Sequence, residues 1–85
     1  MSTTAAVLGA AAARSSLDRL GGFDEIVVFE PSVNELERLL VELADPRLDY
    51  LLGELPVLPL PDGSIDRVVG DFVPDDPEIT RVTAS

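Results

Sequence analysis

Short apolar runs recur along the chain at residues 3–8, 26–30, 48–52 and 65–69. A short continuous apolar run suits a strand that is covered on both faces, as in a parallel sheet. The run at 26–30 is Ile-Val-Val-Phe-Glu, so it closes on an acid. The pattern therefore predicts four short strands, and apolar positions as far as Val73 allow the last strand to extend.

Two helices are predicted between the first three strands. Residues 10–20 begin with a run of alanine, the best helix former, and a pair of glycines follows them as a stop signal. Ser32 and Glu35 form the capping-box pattern that begins a second helix, and Pro46 ends it. The apolar residues of this second helix recur at helical spacing on one face: Val33, Leu36, Leu39, Leu40 and Leu43.

The alternation of strands and helices predicts an α/β fold. It is a Rossmann-like, partial doubly wound sheet, made of the first βαβαβ half plus a fourth strand. Residues 55–61 hold three prolines and are expected to form an extended loop. Asp62 and Gly63 indicate a turn between that loop and the fourth strand.

The last twelve residues differ from the rest in composition. Prolines and acids follow one another closely from residue 74 onward. We therefore expect an acidic, Pro-containing, solvated tail at 74–85, in which a short strand at 79–82 is the one regular candidate. The predicted domain then covers residues 1–73.

Composition narrows the chemistry. The 85-residue chain has no cysteine and no histidine, which excludes disulfides, histidine-based acid–base chemistry and metal ligation by cysteine or histidine. No metal site is predicted. A formal net charge of −10 disfavours nucleic acid and anionic membrane surfaces, and it favours a cationic ligand or a basic protein partner. No apolar run approaches the roughly 18 residues of a membrane span, and no basic segment precedes residues 5–13, so a cytoplasmic location is expected.

Three stretches, taken in order, carry a family resemblance. Residues 9–14 (Gly-Ala-Ala-Ala-Ala-Arg) open the first helix, and residues 26–32 form a strand that ends in Glu30-Pro-Ser. Residues 53–69 contain Leu-Pro-Val-Leu-Pro-Leu-Pro-Asp-Gly-Ser-Ile-Asp. Together they resemble the class I S-adenosylmethionine (SAM)-dependent methyltransferases, in particular the type 11-like domain. The resemblance spans roughly residues 7–73, which implies a truncated domain with four of the family's seven strands and the first strand between the second and the fourth.

The first stretch stands where the family has a glycine-rich turn of the G-x-G-x-G kind, at which backbone approaches SAM. Gly9 matches the first glycine of that turn. Ala11 and Ala13 occupy the places of the other two, so the motif is degenerate. Alanine costs about 1 kcal/mol or more wherever a turn requires positive φ. Taken alone, the stretch is more typical of an Ala-rich helix start.

The other two stretches imply further cofactor-binding residues. The resemblance makes Glu30 the acid that accepts hydrogen bonds from both ribose hydroxyls. By match, Glu54 contacts the adenine amino group, and Leu55 packs on the ring. Asp66 stands at the family's acid near the start of the fourth strand. No catalytic residue is assigned.

Three functions remain open from the sequence. Methyl transfer from SAM depends mainly on proximity and alignment, so it does not need histidine or cysteine. The first hypothesis is SAM binding and methyl transfer by a domain that a protein partner or a second copy completes, at the open sheet edge of the fourth strand. The alternative is a non-catalytic pseudo-methyltransferase that acts as a protein-interaction or regulatory subunit. The third is a gene remnant or fragment without a stable fold.

Overall fold

The computed structural model describes residues 3–43, 45–53, 57–73 and 75–84. Within these ranges four strands are present: β1 at Thr4–Leu8, β2 at Glu25–Glu30, β3 at Leu48–Leu52 and β4 at Arg67–Gly70. Helix α1 spans Ala10–Ser16 and continues as a 3-10 turn over Leu17–Leu20, α2 spans Val33–Glu42, and α3 spans Pro77–Val82.

The four strands form one parallel sheet in the order β3-β2-β1-β4. β1 is therefore central, with β2 on one side and β4 on the other, as the family resemblance implied. Ala5, Ala6 and Val7 of β1 are buried on both faces of the sheet, because layers cover both sides of this strand. The α/β, Rossmann-like partial sheet predicted from the sequence is confirmed.

Each face of the sheet has its own core. On one face α1 and α2 pack, and the buried cluster is Ala5, Val7, Ala10, Ala13, Leu20, Ile26, Val28, Leu39 and Leu48. On the other face α3 and the loop before β4 pack, and the buried cluster is Ala6, Phe29, Leu58, Ile65, Ile79 and Val82. Neighbouring strand residues thus serve opposite cores, since side chains alternate along a strand.

Helix α2 begins where the capping pattern predicted. The Ser32 Oγ accepts a hydrogen bond from the Glu35 backbone N–H at 3.4 Å, which satisfies one of the free donors of the first turn. The predicted apolar face is narrower than the spacing indicated, because Leu36 and Leu39 are buried while Val33 and Leu40 are 53% and 57% exposed. Two positions of the stripe therefore anchor this helix.

The solvated tail and the short strand predicted after residue 74 are wrong for residues 77–82, which form α3. The Asp76 side chain accepts a hydrogen bond from the Glu78 N–H at 2.9 Å, and Pro77 occupies the first turn, so the helix has a regular start. Ile79 and Val82, three positions apart, are buried against the sheet. This apolar pair draws the segment into the core despite its many acids and prolines.

The region around β4 also differs from the prediction. Ile65 precedes the strand and makes a parallel bridge to Thr83, which follows α3. β4 itself runs from Arg67 to Gly70 and does not reach Val73. Residues 58–61 are irregular and 62–63 form a turn, as predicted. In the part of the chain that the structure describes, no helix is long and apolar enough to cross a membrane.

Candidate functional site

The carboxyl ends of the strands form the candidate site. β1 and β2 end at Leu8 and Glu30, and β3 is followed by Gly53. The chain reverses its order of strands at β1, because β2 lies on one side and β4 on the other. In open parallel α/β sheets, ligands bind outside the carboxyl ends of the strands at such a switch point.

Gly9 makes the turn from β1 into α1. Its φ of 99° and ψ of 148° lie in a region that side chains rarely adopt. Its N–H donates to the Phe29 carbonyl at 2.7 Å, and its carbonyl accepts from the Ala13 N–H at 3.1 Å. Among the described residues, no heavy atom beyond its chain neighbours lies within 4 Å of the place that a Cβ would take. The turn is thus held by its backbone bonds, and it has open space beside it.

Glu30 connects three elements at this edge. One carboxylate oxygen, Oε1, accepts a hydrogen bond from the Ala10 N–H at 2.9 Å, and the other, Oε2, accepts from the Ser32 N–H at 2.8 Å. Its backbone carbonyl accepts from the Gly53 N–H at 3.3 Å. The residue is 9% exposed, and these bonds compensate the cost of burying its charge. An ionised carboxylate has about four acceptor positions, and donors among the described residues take two of them.

The two alanines in the glycine places lie inside α1, so the Ala-rich helix start is confirmed, and neither Ala11 nor Ala13 has the positive φ that would strain it. All positive φ values among the described residues belong to glycines. The helix begins at Ala10, immediately after Gly9, so the next positions have ordinary helical geometry. Ala13 is buried against the sheet, where its small side chain allows α1 to approach closely.

Of the residues predicted for the adenine, Glu54 and Leu55 lie outside the described residues, and their roles stay predictions. Gly53, which precedes them, is described. A Cβ on Gly53 would lie 3.2 Å from the Phe29 Cδ1 and 3.7 Å from the Pro59 Cδ. The absence of a side chain therefore lets Phe29 and the returning Pro-rich loop pack close to the end of β3.

Asp66 lies at the opposite, amino edge of the sheet. Its Oδ2 accepts from the Thr4 N–H at 2.8 Å, and its own N–H donates to the Thr4 carbonyl at 2.8 Å. Its contacts thus join the start of β4 to the start of β1, and the structure does not bring it together with Gly9 and Glu30.

Gly70 is a site-edge residue that the sequence analysis did not identify. It ends β4 opposite Leu8, and its φ is 140°. A Cβ would lie 2.7 Å from the Leu8 carbonyl oxygen and 2.8 Å from the Leu8 Cβ. A glycine at this position therefore allows β4 to pair with β1 up to the residue before Gly9. The signal was the glycine at the end of an apolar strand pattern.

No protein-family model and no curated protein matches this sequence. Solved structures do match it. A chain in the complex of the Haloferax volcanii Trm112 methyltransferase activator with a proposed methyltransferase aligns with a TM-score of 0.78 at 22% identity, over 96% of this chain and 41% of that one. The YcgJ protein of Bacillus subtilis aligns with a TM-score of 0.79 at 19% identity, over 99% of this chain and 41% of that one. A SAM-dependent methyltransferase from Aquifex aeolicus aligns with a TM-score of 0.71 at 18% identity, over 96% of this chain and 51% of that one.

This chain has part of the fold seen in solved SAM-dependent methyltransferases. At these identities the likeness concerns the fold alone. The chain spans between 41% and 51% of the length of these three structures. The described residues contain no group of three or more acidic, histidine or cysteine side chains that could hold a metal ion.

Proposed function

We propose that the carboxyl edge of the sheet binds SAM, and that a partner chain or a second copy completes the acceptor site for methyl transfer in the cytoplasm. The observation that carries this proposal is that Gly9 and the Glu30 carboxylate lie next to each other at the ends of adjacent strands, where the carboxylate accepts from the Ala10 N–H. Within the described ranges, the turn at Gly9 has open space beside it, and donors take two of the roughly four acceptor positions of the Glu30 carboxylate next to that turn.

These residues fit the chemistry of SAM. The backbone at Gly9 can approach the methionine and ribose portion without hindrance from a side chain. Glu30 is an acceptor for ribose hydroxyls, and its negative charge complements the sulfonium cation. Glu54 and Leu55 are the proposed adenine contacts. When bound, SAM supplies an activated methyl group, so the chain itself needs to bind and align rather than to move protons.

The need for completion is supported by the extent of the fold and by β4. The aligned structures continue well beyond the part that this chain matches, and one of them is a complex with a methyltransferase activator. β4 is an edge strand in the described sheet, with β1 on one side. On its other side, Thr83 after α3 makes an isolated parallel bridge to Ile65, which precedes β4. An edge of this kind is a place where a further strand can pair.

Calorimetric titration of the purified chain with SAM and with its demethylated product tests cofactor binding. We expect a one-to-one isotherm with a micromolar dissociation constant, about −8 kcal/mol. Glu30→Ala is expected to abolish binding. Asp66→Ala is the matched control at the other edge of the sheet, and it should bind as the wild type does.

A wild-type chain that is folded by circular dichroism but gives no heat with either ligand would refute the cofactor site. That result would favour the alternative, a non-catalytic pseudo-methyltransferase that acts as an interaction or regulatory subunit. Sedimentation of the chain with and without SAM tests whether a second copy completes the domain, since a dimer is expected in the bound state.

A further inference from the structure

Arg81 on α3 uses all five of its N–H groups. A guanidinium has five donors in a fixed planar fork. Its Nε donates to Glu78 Oε1 at 2.6 Å. Its Nη2 donates to Glu78 Oε2 at 2.9 Å and to the Leu58 carbonyl at 3.0 Å. Its Nη1 donates to the Leu60 carbonyl at 2.8 Å and to Asp62 Oδ1 at 2.7 Å. One side chain on α3 therefore holds the loop at residues 58–62 at three points.

Glu78 reinforces this attachment from the same helix. Its Oε2 also accepts from the Leu58 N–H at 2.6 Å, so both backbone groups of Leu58 are bound by α3 side chains. The two-oxygen contact with Arg81, followed by the Leu58 N–H, lowers the pKa of Glu78 to about 2. The pair is thus charged throughout the neutral range.

The held loop touches the candidate site. Leu58 is 2% exposed and belongs to the buried cluster that contains Phe29. The Pro59 Cδ lies 3.7 Å from the place of a Cβ on Gly53, and the Gly53 N–H donates to the Glu30 carbonyl at 3.3 Å. The loop that α3 holds therefore lies beside the end of β3, and the first residue after β3 is bonded to the Glu30 backbone carbonyl.

We propose that Arg81 is a positioning residue for the cofactor site. With Glu78, it fixes the loop at 58–62 against the carboxyl end of β3, and this sets the shape of the site beside Gly53. The inference rests on the proposed SAM binding for its consequence, because a displaced loop lowers affinity. The contacts themselves are independent of any ligand.

Arg81→Lys is the test variant, since lysine keeps the charge and loses the planar fork. Arg47→Lys is the matched control. The Arg47 guanidinium also binds two carbonyls, of Leu20 and Phe23, and a neighbouring carboxylate, Asp45. Its own carbonyl accepts from the Ile26 N–H, at the amino edge of the sheet. Both variants thus lose a similar set of bonds, at different distances from the site.

Amide hydrogen exchange without ligand gives a readout that does not depend on SAM. We expect Arg81→Lys to accelerate exchange at Gly53 relative to Ile26 by about tenfold, and Arg47→Lys to shift the ratio the other way. An unchanged Gly53-to-Ile26 ratio in Arg81→Lys would overturn the inference. If Arg81→Lys does not fold, Glu78→Gln replaces it, because the amide keeps one acceptor oxygen and loses the charge; the same ratio decides.

SAM affinity gives the second readout. Arg81→Lys should raise the dissociation constant by about tenfold, while Arg47→Lys should stay within about twofold of the wild type. Equal losses in both variants would mean general destabilisation and would overturn the positioning role. Failure of the wild type to bind SAM would refute the proposed function, whereas the exchange ratio would still test the attachment of the loop.

Discussion

The amino and carboxyl edges of the sheet use acidic side chains in different ways. At the amino edge, Asp24 and Asp66 accept from the N–H groups of Thr3 and Thr4, at 3.0 Å and 2.8 Å, in exposed positions. At the carboxyl edge, Glu30 is buried and accepts from the N–H groups of Ala10, which begins α1, and of Ser32, which caps α2. The amino edge is closed by contacts between strand starts, whereas the carboxyl edge has its acid beside a glycine turn with open space.

The backbone conformation also differs between the two edges. Gly9 and Gly70, two of the three glycines with positive φ in the described ranges, follow or end strands at the carboxyl edge. The amino edge instead has Arg47, which binds the carbonyls of Leu20 and Phe23 with its guanidinium. Arginine side chains bind backbone carbonyls near both edges, but positive φ next to a strand end occurs, among the described residues, at the carboxyl edge. The binding end of this sheet is therefore distinguished by backbone geometry that glycine permits.

The largest expected effect is at Gly70. Gly70→Ala forces a Cβ to within 2.7 Å of the Leu8 carbonyl at a φ of 140°. Strain and overlap together should cost about 3 kcal/mol or more, a large part of the roughly 5–15 kcal/mol that keeps a domain folded. Urea unfolding followed by circular dichroism measures it.

Gly21→Ala is the control for this substitution. Gly21 has helical angles, φ −61° and ψ −24°, and open space around a Cβ. Alanine there should be neutral or stabilising by up to about 1 kcal/mol. Equal losses in the two variants would contradict the claim that the carboxyl edge needs its glycine.

The next effect separates the acids of the two edges. Glu30→Ala leaves the buried Ala10 N–H without its acceptor, which should cost about 1–3 kcal/mol of unfolding free energy. Asp66→Ala leaves the Thr4 N–H to bond with water, so the unfolding free energy should fall by about 0.5 kcal/mol or less. Urea midpoints of both variants give the comparison, and a larger loss for Asp66→Ala would reverse our assignment of the buried acid.

Acidification should weaken a clamp in each region. The pKa of Asp45, bound by Arg47, and that of Glu78, bound by Arg81, are both lowered to about 2, from 3.8 and 4.5. A lowered folded-state pKa means that the unfolded chain binds more protons, so this stability is complete above pH 4.5 and is lost as the pH falls toward 2. The urea midpoint of unfolding should therefore fall as the pH is lowered from 6 to 2. It should fall less steeply in the Asp45→Asn, Glu78→Gln double variant. An unaltered slope in that variant would contradict the role of these pairs.

The smallest effect is expected away from both edges. Arg14 on α1 contacts Glu42 and Glu35 on α2 at 2.7 Å and 3.4 Å, with side chains 32–46% exposed. Exposed ion pairs are screened by water and salt, so Arg14→Met should leave the urea midpoint unchanged within error. A loss comparable to that of Gly70→Ala would show that the helix layer, rather than the carboxyl edge, limits the stability of the fold.

Much of the fold was predictable because its signals are local. The strand ranges follow from apolar runs, and the start of α2 follows from Ser32 and Glu35 three positions apart. The site was predictable in part: Gly9 and Glu30 stand at adjacent strand ends, while the roles of Glu54 and Leu55 stay predictions. The sequence did not predict α3, because acids and prolines surround its apolar pair, Ile79 and Val82. These two residues become core residues only when the helix packs against the face of the sheet.

The sequence by itself determined the order of the elements from β1 to β3, and the residues Gly9 and Glu30 that stand at the ends of β1 and β2. Apolar runs and helix caps act within a few positions of the chain, so these signals are local. Only the tertiary structure decided which groups meet. The bond from Ala10 to Glu30, the approach of Gly70 to Leu8 and the hold of Arg81 on Leu58 join residues 20 or more positions apart. Such contacts depend on strand register and on how helices pack, which are properties of the whole sheet and not of any local segment.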